Sequence, residues 1–250
     1  MSCIRLRNVS VDYVVNHYRV NSELSKRQSK SADIGGTIHG DSRSNIRALD
    51  SVSFELDSGD RLGLMGRNGV GKTTLLKVVA GIIAPTAGDV MVEGRISPLT
   101  SISLGLDGQS SGYDNIFIRS RLMGYSKAEI LEVIEDIGDF TGLNEFLHLP
   151  IRTYSSGMKM RLSFAIATAF KPDIMLLDEW IGTGDAEFRE QASTRLHKLI
   201  ADSGIFIFAS HNRQLHRQIC NKAAILDNGR IEFFGDVEDA FIYLNENPKF

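Results

Sequence analysis

Nine consecutive residues constrain this chain more than any others: Gly66-Arg67-Asn68-Gly69-Val70-Gly71-Lys72-Thr73-Thr74. The apolar run Leu62-Gly63-Leu64-Met65 before them reads as a short buried strand, and Leu75-Leu76-Lys77-Val78-Val79-Ala80 after them as the first turns of a helix. Strand, glycine-rich turn and helix in that order are the context of a phosphate-binding loop. Backbone that holds an anion must turn several N–H groups inward, and Gly66, Gly69 and Gly71 permit the positive φ this needs. The helix start adds unpaired donors and the positive end of the peptide dipole. Lys72 can place a point charge on the β- and γ-phosphates, and the Thr73 hydroxyl can ligate Mg²⁺. Arg67, Asn68, Val70 and Thr74 complete the candidate phosphate-binding set. An ordinary glycine turn is the alternative, and the flanking strand and helix argue against it. The chain is expected to bind a nucleoside triphosphate.

Composition narrows the setting. With 250 residues, 42% apolar and 24% charged, the chain has the profile of a soluble globular protein of one large or two small domains. A net charge of −3 gives no electrostatic reason to expect nucleic acid as a partner. Cys3 and Cys220 make neither a disulfide framework nor a metal-ligand spacing, which suits a reducing cytosol. The start, Met1 to Arg7, reads without the apolar centre of a signal peptide. No apolar run approaches the roughly 18 residues of a membrane span, so a membrane role is expected to come through a partner.

Along the chain, Ile4, Leu6, Val9, Val11 and Tyr13 mark a strand. Asn16 to Asn45 is polar, serine-rich and basic, and reads as an inserted exposed loop or hairpin. It is either simply solvated or a contact to lipid headgroups or a partner subunit. Leu49, Val52, Phe54 and Leu56 mark the next strand; Asp57 to Asp60 and Pro85 to Gly88 are turns, the second leading into the strand Val90-Met91-Val92. Gly105 to Gly112 reads as loop. Ser126-Lys127-Ala128-Glu129 is a capping box that opens a helix with Ile130, Leu131, Val133, Ile134 and Ile137 as its core stripe. Another helix is expected near Ser156, carrying Leu162, Phe164, Ala165 and Ala169. Asp173 to Leu177 and Gly204 to Ala209 are buried strands of the parallel type, joined by a crossover helix over Gln191 to Ala201. Ala223 to Leu226 and Arg230 to Phe233 form a hairpin about Asp227-Asn228-Gly229, and Val237 to Leu244 closes as a helix. The whole reads as an α/β core split by a mostly helical insertion from about Gly112 to Leu149.

Two further segments carry chemistry. Asp178 and Glu179 end a buried strand, where Asp178 can hold Mg²⁺ opposite Thr73 and Glu179 can polarise a water for attack on the γ-phosphate; the alternative is an acidic pair facing solvent. Tyr154-Ser155-Ser156-Gly157-Met158 opens a helix, either as an anion site or as a plain N-cap.

The order of these parts, followed by Ser210-His211 after another strand, resembles the ATP-binding subunit of ABC transporters over nearly the whole chain. In that likeness Gly66 to Thr73 is the Walker A motif, and Tyr154, Ser155, Ser156, Gly157 and Met158 the signature. Asp178 and Glu179 are Walker B and the catalytic glutamate, Gly184 and Asp185 the D-loop, His211 the switch histidine, and Tyr13 the aromatic that stacks on adenine. Taken alone, Tyr13 is also what any strand carries, and a lone histidine is more often structural. The glutamine usual some dozen residues before Asn115 is replaced by Ser101, Ile102 and Ser103; Gln109 is the nearest glutamine and sits late in the loop. The wording Tyr-Ser-Ser-Gly-Met, Ser111-Gly112-Tyr113-Asp114-Asn115-Ile116, Asp178-Glu179-Trp180 through Phe188 and Ser210-His211-Asn212 is similar to the polysaccharide-exporter branch.

The resemblance implies a single ATP-binding domain over 1–250, with a P-loop NTPase (RecA-like) core, an N-terminal antiparallel β-subdomain and an inserted α-helical subdomain at about 112–171. It implies ATP hydrolysis with ATP and Mg²⁺ as cofactors and a head-to-tail homodimer in which each ATP lies between one P-loop and the opposite signature. It implies an integral membrane permease subunit at the cytoplasmic face of the inner membrane, and a polysaccharide such as O-antigen or capsule as indirect cargo. Nucleic acid is not expected. The alternative is a soluble ABC ATPase of cofactor assembly or nucleic-acid metabolism.

Overall fold

The computed structural model describes residues 2–15, 37–39, 44–99, 106–179 and 186–247. The polar insertion expected at 16–45, the serine-isoleucine-serine run at 101–103 and the expected D-loop residues Gly184 and Asp185 lie outside or almost wholly outside these. In chain order the elements are β1 (Cys3–Val15), β2 (Thr37–His39), β3 (Ser44–Asp57), β4 (Arg61–Met65), α1 (Lys72–Val79), β5 (Ala87–Glu93) and β6 (Ile96–Pro98). Then come α2 (Gly112–Leu122), α3 (Lys127–Thr141), α4 (Ser156–Thr168), β7 (Ile174–Asp178), α5 (Ala186–Asp202) and β8 (Ile205–Ala209). The chain closes with α6 (Arg213–Ile219), β9 (Lys222–Asp227), β10 (Arg230–Asp236) and α7 (Val237–Glu246). Two compact units divide it: Met1–Glu93 with Ile207–Phe250, and Gly94–Phe206.

The first unit holds an antiparallel sheet in the order β2-β3-β1-β5. Its inward residues do not keep strict alternation: Ile4 and Leu6 are followed by Val9 and Val11, and Leu49 by Val52, Phe54 and Leu56, all buried. The skip is a pair of bulges. Asn8 (φ 50°) and Ser51 (φ 55°) take left-handed backbone, and the β1–β3 register shifts between Leu6 and Val9 and again between Val9 and Val11. One extra residue on each strand restores the same face to the core, so both apolar sets stay buried. In the same unit β4 runs parallel to β9, pairing Leu62 with Lys222 through Met65 with Ile225. Leu62, Leu64, Ala223, Ala224, Ile225 and Leu226 are fully buried, which explains their unbroken apolar wording.

The hairpin β9–β10 turns on Asn228 (φ 46°) and Gly229 (φ 79°), the two positive φ values of a primed two-residue turn. That turn is tied in place. The Gly229 N–H donates to the Val70 carbonyl at 3.0 Å, and the Gly229 carbonyl accepts from the Asp50 N–H at 2.9 Å. Asp50 also takes the Arg230 guanidinium (2.7 Å to Nε), which holds its carboxyl below the usual carboxylate range, with a weaker contribution from Arg47.

The second unit is centred on α2, α3 and α4, whose buried residues Ile116, Ile130, Ile137, Leu162, Ala165 and Ile166 share one core. The capping box at Ser126 and Glu129 opens α3 as expected; a second one, Ser111 with Asp114, opens α2, a helix the apolar pattern does not single out. Asn115 explains the polar wording there. It is fully buried, and its amide accepts from the Asp107 N–H and donates to the carbonyls of Asp107 and Ser111, fixing the 107–111 loop. Phe164 and Phe188 pack edge to face at 5.9 Å, joining α4 to α5, which starts at Ala186 rather than Gln191. Beside these helices β6 runs parallel to β7. The unit is therefore wider than the 112–171 stretch expected to be helical.

The α3 cap carries a charge. Arg95 donates to Glu129 Oε1 at 2.6 Å, and the Ser126 N–H to Oε2 at 2.7 Å; together, Arg95 first, they hold the Glu129 carboxyl at about 2 rather than its ordinary 4.5. A carboxyl depressed by folding contributes stability that is complete above its ordinary value and fades as pH falls toward its folded value. The unfolding midpoint of the wild type minus that of Glu129→Gln, followed by denaturant titration, should be positive at pH 6 and shrink steadily between about pH 4.5 and 2.

Candidate functional site

The phosphate loop links β4 to α1 inside the first unit. Gly66, Gly69 and Gly71 all take positive φ, at 132°, 81° and 111°, as the spacing of the glycines requires. At Gly66 and Gly71 space is limiting as well: an added Cβ would lie 2.3 Å from the Leu226 carbonyl oxygen and 2.6 Å from that of Ala48. Glycine is needed there for both conformation and clearance. Helix α1 starts at Lys72 with Gly71 as N-cap, no side chain caps it, and its first turn has no acidic residue. Its first N–H groups and the positive end of its dipole therefore face the loop with no competing carboxylate.

Lys72 is only 8% exposed, and its ammonium donates to the carbonyls of Gly66 (2.7 Å) and Arg67 (2.9 Å). A cation is thus held at the loop, satisfied by carbonyl oxygens. Thr73 is exposed at the start of α1, and Thr74 is half-buried beside it. Tyr13, on β1, is 39% exposed with its hydroxyl 3.5 Å from that of Thr74, so its ring edges the loop.

His211 follows β8, and its Nε2 lies 2.6 Å from Oδ1 of Asn68. An amide oxygen only accepts, so Nε2 carries the hydrogen in this arrangement. A pocket of about 190 Å³ opens here, lined in part by Gly66, Arg67, Ser210, His211 and Arg213. Loop, Lys72, Tyr13 and His211 therefore meet within one unit, far apart in sequence though they are.

The remaining candidates lie in the second unit. Ser155 is the N-cap of α4, its hydroxyl accepting from the Met158 N–H at 3.2 Å, while Ser156 and Gly157 are exposed on the first turn. Tyr154 is buried (5% exposed), its hydroxyl donating to the Phe146 carbonyl, and Met158 packs against the helical core. Of the five expected signature residues, Ser155, Ser156 and Gly157 thus face outward and Tyr154 and Met158 anchor the helix start. Asp178 ends β7 half-buried, and Glu179 beyond it is exposed with φ 70°. Left-handed backbone at a glutamate costs about 1–3 kcal/mol, and such strain concentrates at functional positions. Gln109 holds Asp107 Oδ1 through its own N–H and accepts from Arg152 through its side chain, so its amide is engaged in closing the 107–111 loop.

Two features were not legible beforehand. The Val70 carbonyl is held by Gly229, and the Asn68 amide by His211. The Asn-Gly wording marks a hairpin turn, not what the turn supports.

Residues 49–182 match the family described as ABC transporter. The chain is 44% identical over 234 residues to the O-antigen export system ATP-binding protein RfbE of Yersinia enterocolitica, covering 92% of this chain and 97% of that one. It is 33% identical to the teichoic acids export ATP-binding protein TagH of Staphylococcus haemolyticus, covering 94% of this chain and 85% of that one. Among solved structures, an ATP-binding subunit of an ABC transporter superposes with a TM-score of 0.70 over 97% of this chain and 93% of that one at 18% identity. A dimeric ATP-binding cassette bound to ADP and Pi superposes at 0.66 over 94% of this chain and 98% of that one at 19% identity. The fold is that of the P-loop cassette with an antiparallel β-subdomain and a helical unit. With a family match over more than half its length and a close relative over nearly all of it, the chain belongs to the ABC transporter family.

Proposed function

We propose that this chain is the ATP-hydrolysing subunit of an exporter that moves a lipid-linked polysaccharide, of the O-antigen or capsule kind, across the inner membrane. The activity rests on the phosphate loop: three glycines at positive φ, an uncapped helix start and Lys72 held at the loop by two carbonyls. The cargo rests on the likeness to proteins of O-antigen and teichoic acid export.

The residues divide the work as follows. The loop N–H groups and the α1 terminus receive the β- and γ-phosphates, and Lys72 exchanges its carbonyl partners for phosphate oxygens. Tyr13 offers a flat apolar face to adenine. Thr73, exposed at the start of α1, offers a hard oxygen donor of the kind Mg²⁺ prefers and would serve as its ligand; Asp178, half-buried at the end of β7, offers a second donor of that kind. When bound, that ion neutralises charge on the phosphate oxygens. Glu179 polarises the attacking water from a position at which the backbone has left the strand conformation. His211, whose Nε2–H rests on Asn68 Oδ1 of the loop, would exchange that partner for a γ-phosphate oxygen. The exposed start of α4 at Ser156 and Gly157 completes the site of a second copy, so ATP bridges a head-to-tail homodimer and hydrolysis removes the bridge.

No helix among the described residues is long and apolar enough to cross a membrane. We infer that the chain is a peripheral subunit at the cytoplasmic face, and that closing of the dimer is transmitted to an integral permease subunit which carries the glycan.

Lys72→Ala should raise the dissociation constant for ATP by about tenfold or more, read by calorimetric titration, since a charge-assisted contact to phosphate is lost. Glu179→Gln should bind ATP with near wild-type affinity, turn over roughly 10²–10⁴-fold more slowly, and run as a dimer with ATP on size exclusion; near-normal turnover would remove Glu179 from the mechanism. Expressed beside its permease candidate, the tagged chain should sediment with membranes and co-purify with that subunit in detergent. Recovery in the soluble fraction alone would favour a soluble ABC ATPase instead.

A further inference from the structure

Below the switch histidine lies a second histidine that nothing in the reaction outlined above uses. His216, on α6, is 1% exposed, and its Nε2 lies 2.9 Å from the carbonyl oxygen of Ser210. Its ring sits 5.0 Å from that of Phe208 at 43°, and Gly63 leaves it room: a Cβ there would lie 2.4 Å from Nδ1. Cys220 Sγ is 3.8 Å from that same Nδ1.

The protonation pattern follows from the partners. A carbonyl only accepts, so Nε2 carries the hydrogen and Nδ1 presents a lone pair. The group facing that lone pair is the Cys220 thiol, which burial pushes up to about 12, so it stays protonated and can donate. The imidazole is thereby satisfied at both nitrogens, as a buried polar ring must be. Such a ring, in a place that a plain aliphatic side chain would fill, calls for a reason.

The reason lies in which carbonyl it holds. The Ser210 carbonyl and the His211 N–H share one peptide plane, so fixing the first fixes the second. Asn212 finishes the anchoring: its N–H donates to Ser210 Oγ at 3.2 Å, and its side-chain oxygen caps α6 by accepting from the Gln214 and Leu215 N–H groups. With that plane set, His211 keeps only its own torsions, and its ring reaches Asn68.

We propose that His216 is a positioning residue for hydrolysis: by holding the Ser210 carbonyl it fixes the peptide on which His211 is mounted, and so aims His211 at the γ-phosphate. This rests on the reading of His211 as the residue that contacts that phosphate. His216 itself touches neither nucleotide nor water; it acts through the backbone. A misplacement of a contact group by about 1 Å costs on the order of 10²-fold in rate, so its loss is felt in turnover rather than in binding.

The test uses the purified 250-residue chain with ATP, measuring kcat, KM and ATP affinity for four variants. His211→Ala calibrates the parent reading. His216→Leu keeps the bulk and removes the donor, His216→Gln places an amide N–H near the position of Nε2, and His216→Asn is too short to reach Ser210. Expected are a loss of about tenfold to a hundredfold in kcat for Leu and Asn with ATP affinity within about threefold of wild type, and recovery to within about threefold of wild-type kcat for Gln. Wild-type kcat in His216→Leu beside a slow His211→Ala would overturn the inference while leaving His211 in place. Equal losses in Gln, Asn and Leu that track a fall in ATP affinity would reduce His216 to a packing residue and overturn it too. Should the Leu variant fail to fold, Gln against Asn decides alone, and equal kcat in the two overturns the inference. Unchanged turnover in His211→Ala itself would instead bring down the parent reading, and this one with it.

Discussion

A loop that offers its N–H groups to a polyanion must direct its carbonyls elsewhere, and that requirement organises much of the first unit. Four backbone carbonyls of the loop are satisfied by three donors. Gly66 and Arg67 give theirs to the Lys72 ammonium, Val70 to the Gly229 N–H, and Gly71 to the Leu75 N–H as the first turn of α1. The donors come from a side chain, a distant hairpin and the following helix. Each gives an oxygen its partner, and buried carbonyls left unmade would otherwise cost about 1–3 kcal/mol apiece. The strand before the loop, the helix after it and the C-terminal hairpin are thus joined by one hydrogen-bond account.

The same principle governs the helical unit, where polar groups near the helix starts have backbone tasks. Asn115 closes the 107–111 loop, Tyr154 is held on the Phe146 carbonyl, and Ser155 caps α4. Next to the capping Ser155, Ser156 and Gly157 are exposed as well, small enough to let another surface approach the helix N-terminus.

What could be read from the sequence follows from how local its cause is. The phosphate loop was legible because only glycine supplies three positive φ values at that spacing, and the capping box at Ser126 because both its partners lie within four residues. The Asn228-Gly229 turn was legible for the same reason. The bulges at Asn8 and Ser51 were visible only as broken alternation, since neither residue announces left-handed backbone by type as glycine does. Helix α2 escaped because its apolar stripe is weak and its start depends on Ser111 and Asp114, polar residues that suit a loop equally well. The roles of Tyr154 and His216 were hidden because each bonds a backbone carbonyl, and a backbone carbonyl leaves no mark in a sequence.

The bond from Gly229 to Val70 also bears on the timing of assembly. One carbonyl of the phosphate loop, that of Val70, is satisfied by a turn at Gly229, far away in sequence. Contacts of such sequence separation form late, after the closure entropy of the intervening chain has been overcome. During synthesis the loop therefore waits for its support until the β9–β10 hairpin has emerged. Support for the loop at Val70 is therefore added only once a hairpin distant in sequence has folded against it.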